Sequence, residues 1–338
     1  MTAPRRLIVN PTEVGWYHCV SRCVRRAYLC GDGHEHRKGW VVERLRLLAE
    51  VFAVEIAAYA VMSNHLHVVV RLDPSAPQGW PAEDVARRWL TVYGPCAADG
   101  SPQAPDPALV TAAAQDWAWV AARRRRLGEL GWFMKSLKEP IARRANREDG
   151  VTGHFWEGRF RSTALLDEAA VIACMAYVDL NPIRARMADR PEASNHTSIQ
   201  ARIHARQYHE TLLKRNDAAA SSEPPTAADP EAGLWLWHFE HPRHGLCQTM
   251  RAAVYLNLVD ATGRCLRADK RGAITDDLAA ILRRLDLDVG AWLNAMAMGR
   301  QMRGTGLGHI TARAVEARRR GTGWVANRSV LFAGERAA

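Results

Sequence analysis

The chain has 338 residues, room for more than one hydrophobic core, and its 46 Lys plus Arg against 36 Asp plus Glu leave a net charge of +10. That balance suits a polyanionic partner, nucleic acid first, and no apolar run approaches the roughly 20 residues of a membrane helix, so a soluble protein without a membrane partner is expected. Seven cysteines, an odd number with no Cys-x-x-Cys pair, argue against a disulfide framework and a zinc ribbon and fit a reducing cytoplasm.

In chain order, Gly15 to Val24 (GWYHCVSRCV) mixes aromatic and β-branched residues in rough alternation, a strand pattern. Arg37 to Val54 spaces Trp40, Val41, Leu45, Leu48 and Phe52 by three and four, as an amphipathic helix does. Glu55 to Met62 and His65 to Leu72 are β-rich runs separated by Ser63-Asn64, which predicts a hairpin. From Asp73 to about Gln115 the chain is rich in Pro, Ala, Gly and Asp and reads as an insertion, with a short helix over Val85 to Tyr93. Trp117 to Arg147 is helix-like, Phe155 to Leu166 returns to strand character, and Asp167 is placed to cap a further helix.

The order β-α-β-β-α-β-α predicts an α+β domain over residues 1–200, an antiparallel sheet with helices on one face. Asn216 to Ala232 (NDAAASSEPPTAADPEA) has linker composition, giving a linker over 201–233, and 234–338 reads as a mainly helical accessory region. No internal repeat is seen.

His65 and His67 flank Leu66 in a predicted strand, so both imidazoles leave one face and can grip one cation. The pair alone is weak: His-x-His also occurs in amidohydrolase barrels, in metallo-hydrolases and as ordinary surface histidines. A third alternating histidine is missing, since position 69 is Val. His34-Glu35-His36 lies in a Gly- and Asp-containing turn and reads as a solvated loop. Tyr177 and Asn181 are four residues apart on a predicted helix and share a face; Pro182 sets Asn181 at the helix end. A half-buried Tyr with a helix-terminal Asn is the plain alternative.

The stretches YAVMSNHLHVVVRL, GHFWEGRFRSTALL and AYVDLNPIRARM, in this order, resemble the motif blocks of single-tyrosine His-hydrophobic-His (HUH) transposases, above all the REP-associated tyrosine transposases of bacteria. The resemblance covers roughly Gly15 to Ala201, and its most specific part is the Tyr-x-x-x-Asn-Pro block. It implies a ferredoxin-like catalytic domain in which His65, His67 and Asn181 hold Mg²⁺ or Mn²⁺ and Tyr177 is the nucleophile. The implied activity is cleavage and rejoining of single-stranded DNA beside a hairpin, through a 5′-phosphotyrosine with a free 3′-hydroxyl. It also implies a bacterial cytoplasmic, nucleoid-associated protein, active as a monomer or a homodimer. A catalytically silent hairpin-binding regulator descended from such an enzyme is the competing reading.

A track for the strand is read from Arg159 and Arg161, with Phe155, Trp156 and Phe160 nearby for packing or stacking. Lys135 and Lys138, with the run Arg123 to Arg126, are candidates for phosphate contact. Arg184 and Arg186, just after Asn181, lie nearest the expected reaction centre and are also candidates for DNA contact. In the C-terminal region Gly263 to Gly272 and the basic run 318–321 point weakly to hairpin binding and equally to packing.

Overall fold

The computed structural model describes residues 4–95, 102–217, 233, 235–239, 250–267, 272–298, 302, 304–327 and 329–332. Its elements in chain order are α1 (Arg5–Ile8), β1 (Gly15–Arg22), α2 (His36–Val51), β2 (Val54–Val61), β3 (His65–Leu72), α3 (Ala82–Tyr93), α4 (Pro107–Gln115), α5 (Trp117–Leu127), α6 (Leu130–Glu148), β4 (Arg161–Leu165), α7 (Glu168–Asp179), α8 (Asn181–Arg184), α9 (Ser198–Asp217), α10 (Ala252–Cys265), α11 (Asp276–Arg284), α12 (Val289–Ala297), β5 (Gly306–Leu307) and α13 (Ile310–Arg320). The strands form one sheet in the order β2-β3-β1-β4-β5. It is mixed: β5 runs parallel to β4, pairing Ala164 with Gly306 and Leu165 with Leu307. The antiparallel expectation therefore does not cover this edge, which is built from residues far along the chain.

The hairpin forms where the pattern placed it. Met62 N donates to His65 O at 2.8 Å, and a connection this short can join only antiparallel neighbours. α2 stops at Val51 because Phe52 turns extended (φ −87°, ψ 159°) and buries its ring edge-on against Phe133 of α6, centroids 5.9 Å apart. The helical run from Trp117 is two helices, broken at Gly128-Glu129.

Three expectations shift. β4 begins at Arg161, not Phe155, because Phe155, Trp156 and Phe160 are core residues on an irregular path, with Trp156 Nε1 donating to Lys138 O at 3.0 Å. The insertion is largely helical, carrying α3 and α4. Positions 201–217, expected in a linker, continue α9; the rest of that stretch up to 232 lies outside the described residues, as do 268–271 of the Gly263 to Gly272 run. The remainder of the C-terminal region is mainly helical among the described residues, α10 to α13 with β5. No helix among them is long and apolar enough to cross a membrane.

The chain divides into two compact units, one of Met1–Glu55, Val61–Leu66 and Val70–Ser162, the other of Ile56–Ala60, His67–Val69 and Thr163–Ala338. In the first, Leu45, Leu48, Leu127, Leu130, Phe133 and Leu137 are fully buried, and α2 packs on α6. In the second, the core is Val171, Ile172, Tyr255, Leu258, Leu282 and Trp292.

Candidate active site around Tyr177

Asp167 opens α7 with extended backbone, its side chain accepting from Ala170 N, an N-cap that satisfies one of the helix's orphan donors. From Ala169 to Asp179 every residue of this helix is buried. The helix pauses at Leu180 (φ −85°, ψ −2°), and Asn181 starts α8, where Pro182 sits in a first turn that needs no N–H from it. Asn181 Nδ2 donates back to Tyr177 O at 2.9 Å.

Tyr177 is 6% exposed. Its ring meets His67 edge-on, centroids 5.8 Å apart at 81°, and the Arg184 guanidinium lies over it at 4.5 Å. Arg184 Nη2 donates to Asn181 Oδ1 at 2.5 Å, and Nη1 to Met296 O at 3.5 Å. The second unit thus gathers four of the sequence-predicted residues: His67, Tyr177, Asn181 and Arg184. The amide oxygen expected to reach a cation is already shared with a guanidinium, whose charge opposes a second cation there.

His65 stands two residues before His67 on β3, half-buried. Its Nδ1 lies 2.6 Å from Asn64 Oδ1. Asn64 Nδ2 donates to Arg26 O at 3.2 Å, which fixes the amide with its oxygen toward the imidazole. An amide oxygen only accepts, so Nδ1 is the donor in this pair, which turns Nε2 away from Asn64. The turn carrying Asn64 is itself held: Cys23 N donates to Asn64 O and Cys30 N to Ser63 O, both at 2.9 Å, and a Cβ on Gly31 would come within 2.6 Å of Ser63 Cβ. Sequence reasoning saw Asn64 only as a turn residue; its place directly before the His pair was the available signal. His18 lies buried on β1, beside β3 in the sheet. Burial pushes its pKa down to about 4.

Two imidazoles projecting two residues apart on one strand are a fitting nitrogen pair for a divalent cation. A different trio, His34 with Glu148 and Asp149, brings its ligand atoms within 4.8 Å of one another. There Arg37, fully buried, already pairs with both carboxylates, and His36 bonds Glu148 at 2.6 Å. The charge a cation would balance is spoken for.

Lys135, Lys138 and Arg159 line one groove of about 530 Å³ in the first unit, with His154 and Glu139. Lys138 Nζ donates to Gly158 O at 2.7 Å. Arg161 and Arg186 are exposed, the latter with φ 57°. Phe155, Trp156 and Phe160 are largely buried and line the same groove.

No protein-family model and no curated protein matches the chain. Among solved structures, a REP-associated tyrosine transposase bound to a REP hairpin aligns with 68% of this chain and 98% of its own, at 12% identity and a TM-score of 0.35. That superposition is too loose to carry fold or chemistry from one chain to the other.

Proposed function

We propose that the chain is a single-tyrosine DNA strand transferase acting beside hairpins, with Tyr177 as nucleophile. The observation that carries this reading is the contact of His67 with Tyr177, with Asn181 one turn on and hydrogen-bonded to the same helix. The motif order supports it, and so does the placing of β1 between β3 and β4, the split arrangement of a ferredoxin-like fold.

In the reaction, Tyr177 Oη bonds to phosphorus as the P–O3′ bond breaks. The phenol loses its proton and the departing 3′-oxygen gains one. The phosphotyrosine conserves the bond energy, so a second 3′-hydroxyl can reverse the step without an external energy source. Arg184, stacked 4.5 Å over the Tyr177 ring, holds the ring in place. His65, with Nε2 presented by Asn64, and His67 would hold Mg²⁺ or Mn²⁺, Asn181 contributing its oxygen if Arg184 yields it; such an ion supplies Lewis acidity at a non-bridging phosphate oxygen. Lys135, Lys138, Arg159, Arg161 and Arg186 are proposed to contact DNA phosphates, consistent with the net charge.

The test is incubation of the protein with labelled hairpin oligonucleotides and Mg²⁺ or Mn²⁺, followed by denaturing electrophoresis. A covalent adduct is expected from the native chain and none from Tyr177→Phe. An adduct that survives Tyr177→Phe removes the nucleophile assignment, and hairpin binding without any adduct favours the silent regulator.

A further inference from the structure

We propose that the C-terminal region is a clamp on α7 that sets the position of Tyr177, with Tyr255 and His309 as positioning residues; the inference rests on the tyrosine-nucleophile reading and extends it to a region whose role the motifs leave open.

The clamp answers a weakness in the helix. α7 is twelve residues long, buried on every side, and has Ala at 169, 170, 173 and 176. Alanine surfaces present shallow ridges, so packing alone gives little resistance to sliding or turning. A slip of one residue would rotate Tyr177 by about 100° and move it by about 1.5 Å, which takes it off His67.

Both ends of α7 carry a carboxylate, and each is gripped by a residue far along the chain. At the start, Asp167 divides its oxygens: Oδ1 caps the helix through Ala170 N at 2.8 Å, while Oδ2 accepts from His309 N at 2.7 Å and from His309 Nδ1 at 3.0 Å. At the end, Asp179 is fully buried; Oδ1 accepts from Ser198 Oγ and Ile199 N, and Oδ2 accepts from Tyr255 OH at 2.5 Å. Bonds to a carboxylate are shorter and more directional than neutral ones, so two of them at opposite ends fix both rotation and axial shift. Arg184, stacked on Tyr177 itself, adds a third tie through Met296 O. The clamp is internally braced, since Trp292 Nε1 of α12 donates to Thr262 Oγ1 of α10 at 3.0 Å.

The experiment uses the full chain and two near-isosteric variants. Tyr255→Phe deletes one hydroxyl. Asp167→Asn keeps a good cap but turns the oxygen facing the His309 N–H into an opposing donor. Hydrogen exchange is expected to quicken in 170–180 while α2 and α6 keep their native rates. The single-turnover rate of adduct formation should fall about ten- to a hundredfold, the cost of a misplaced reacting group, with the DNA dissociation constant held. A generally weakened fold would instead lower affinity and quicken exchange everywhere, which overturns the clamp. So does unchanged exchange in α7, or an unchanged rate where Tyr177→Phe abolishes the adduct. If Asp167→Asn does not fold, Tyr255→Phe decides alone. If the native chain forms no adduct on any hairpin, the nucleophile reading falls, and α7 exchange still judges the clamp.

Discussion

In the unit containing α2 and α6, cations ride on indole faces: Arg126 lies 4.4 Å over Trp132 and Lys135 4.7 Å over the same ring. In the unit containing α7, the notable polar groups lie inside, with Asp179 and Tyr255 fully buried and hydrogen-bonded to each other. A guanidinium stacked on an aromatic face keeps its edge N–H groups for an anion. The buried Asp179 carboxylate accepts three hydrogen bonds that hold backbone and side chains in place. On the proposed function, the contrast suggests a division in which most of the phosphate contacts fall to the first unit and the positioning of Tyr177 to the second.

Acid gives the largest lever on that contrast. His18, in the first unit, has its pKa lowered from 6.5 to about 4 by burial. Its folded form resists the proton, so the stability it carries is present above about pH 6.5 and is lost as pH falls toward 4. Asp179, in the second, is raised from 3.8 to about 6, burial outweighing the bonds from Ser198 and Tyr255 that pull the other way. Its contribution is full below pH 3.8 and is lost as pH rises through 6. Each shift corresponds to about 3 kcal/mol. Urea unfolding at pH 7 and pH 4 should therefore show a smaller acid loss in His18→Gln than in the native chain, and a larger one in Asp179→Asn. Identical acid losses in all three proteins would erase the distinction.

A smaller effect separates the units by salt. Lys135→Gln, Lys138→Gln and Arg159→Gln should each lower the slope of log K against log salt by about 0.7 if each neutralises one phosphate of a single strand. Asp167→Asn should leave the slope alone. A slope that moves with Asp167→Asn and not with the lysines would reverse the division of labour.

What was legible, in either unit, rests on local signals. The hairpin around Ser63-Asn64 and the cap at Asp167 follow from neighbours within a few residues, and the structure places both there. What stayed hidden depends on residues distant in sequence. Asp167 meets His309 142 positions away, and Asp179 meets Tyr255 76 positions away; neither pairing leaves a trace in hydrophobic period or turn composition. β4 was overextended because Phe155, Trp156 and Phe160 have strand-like character, yet three large rings so close together find their burial on an irregular path. Asn64 shows the intermediate case: its turn is readable, but the bond that orients the His65 imidazole is visible only once Arg26 O lies beside the amide.

The enclosure of α7 also bears on how copies of the chain would cooperate. A helix without a solvent face, tied at each end to later parts of its own chain, cannot be lent to a neighbour unless both carboxylates give up their donors and find them again in the other molecule. On the proposed function, each copy is then expected to use its own Tyr177 and His67, even if two copies associate on one hairpin. Mixing Tyr177→Phe protein with His67→Ala protein should accordingly restore no adduct, since neither can borrow what it lacks.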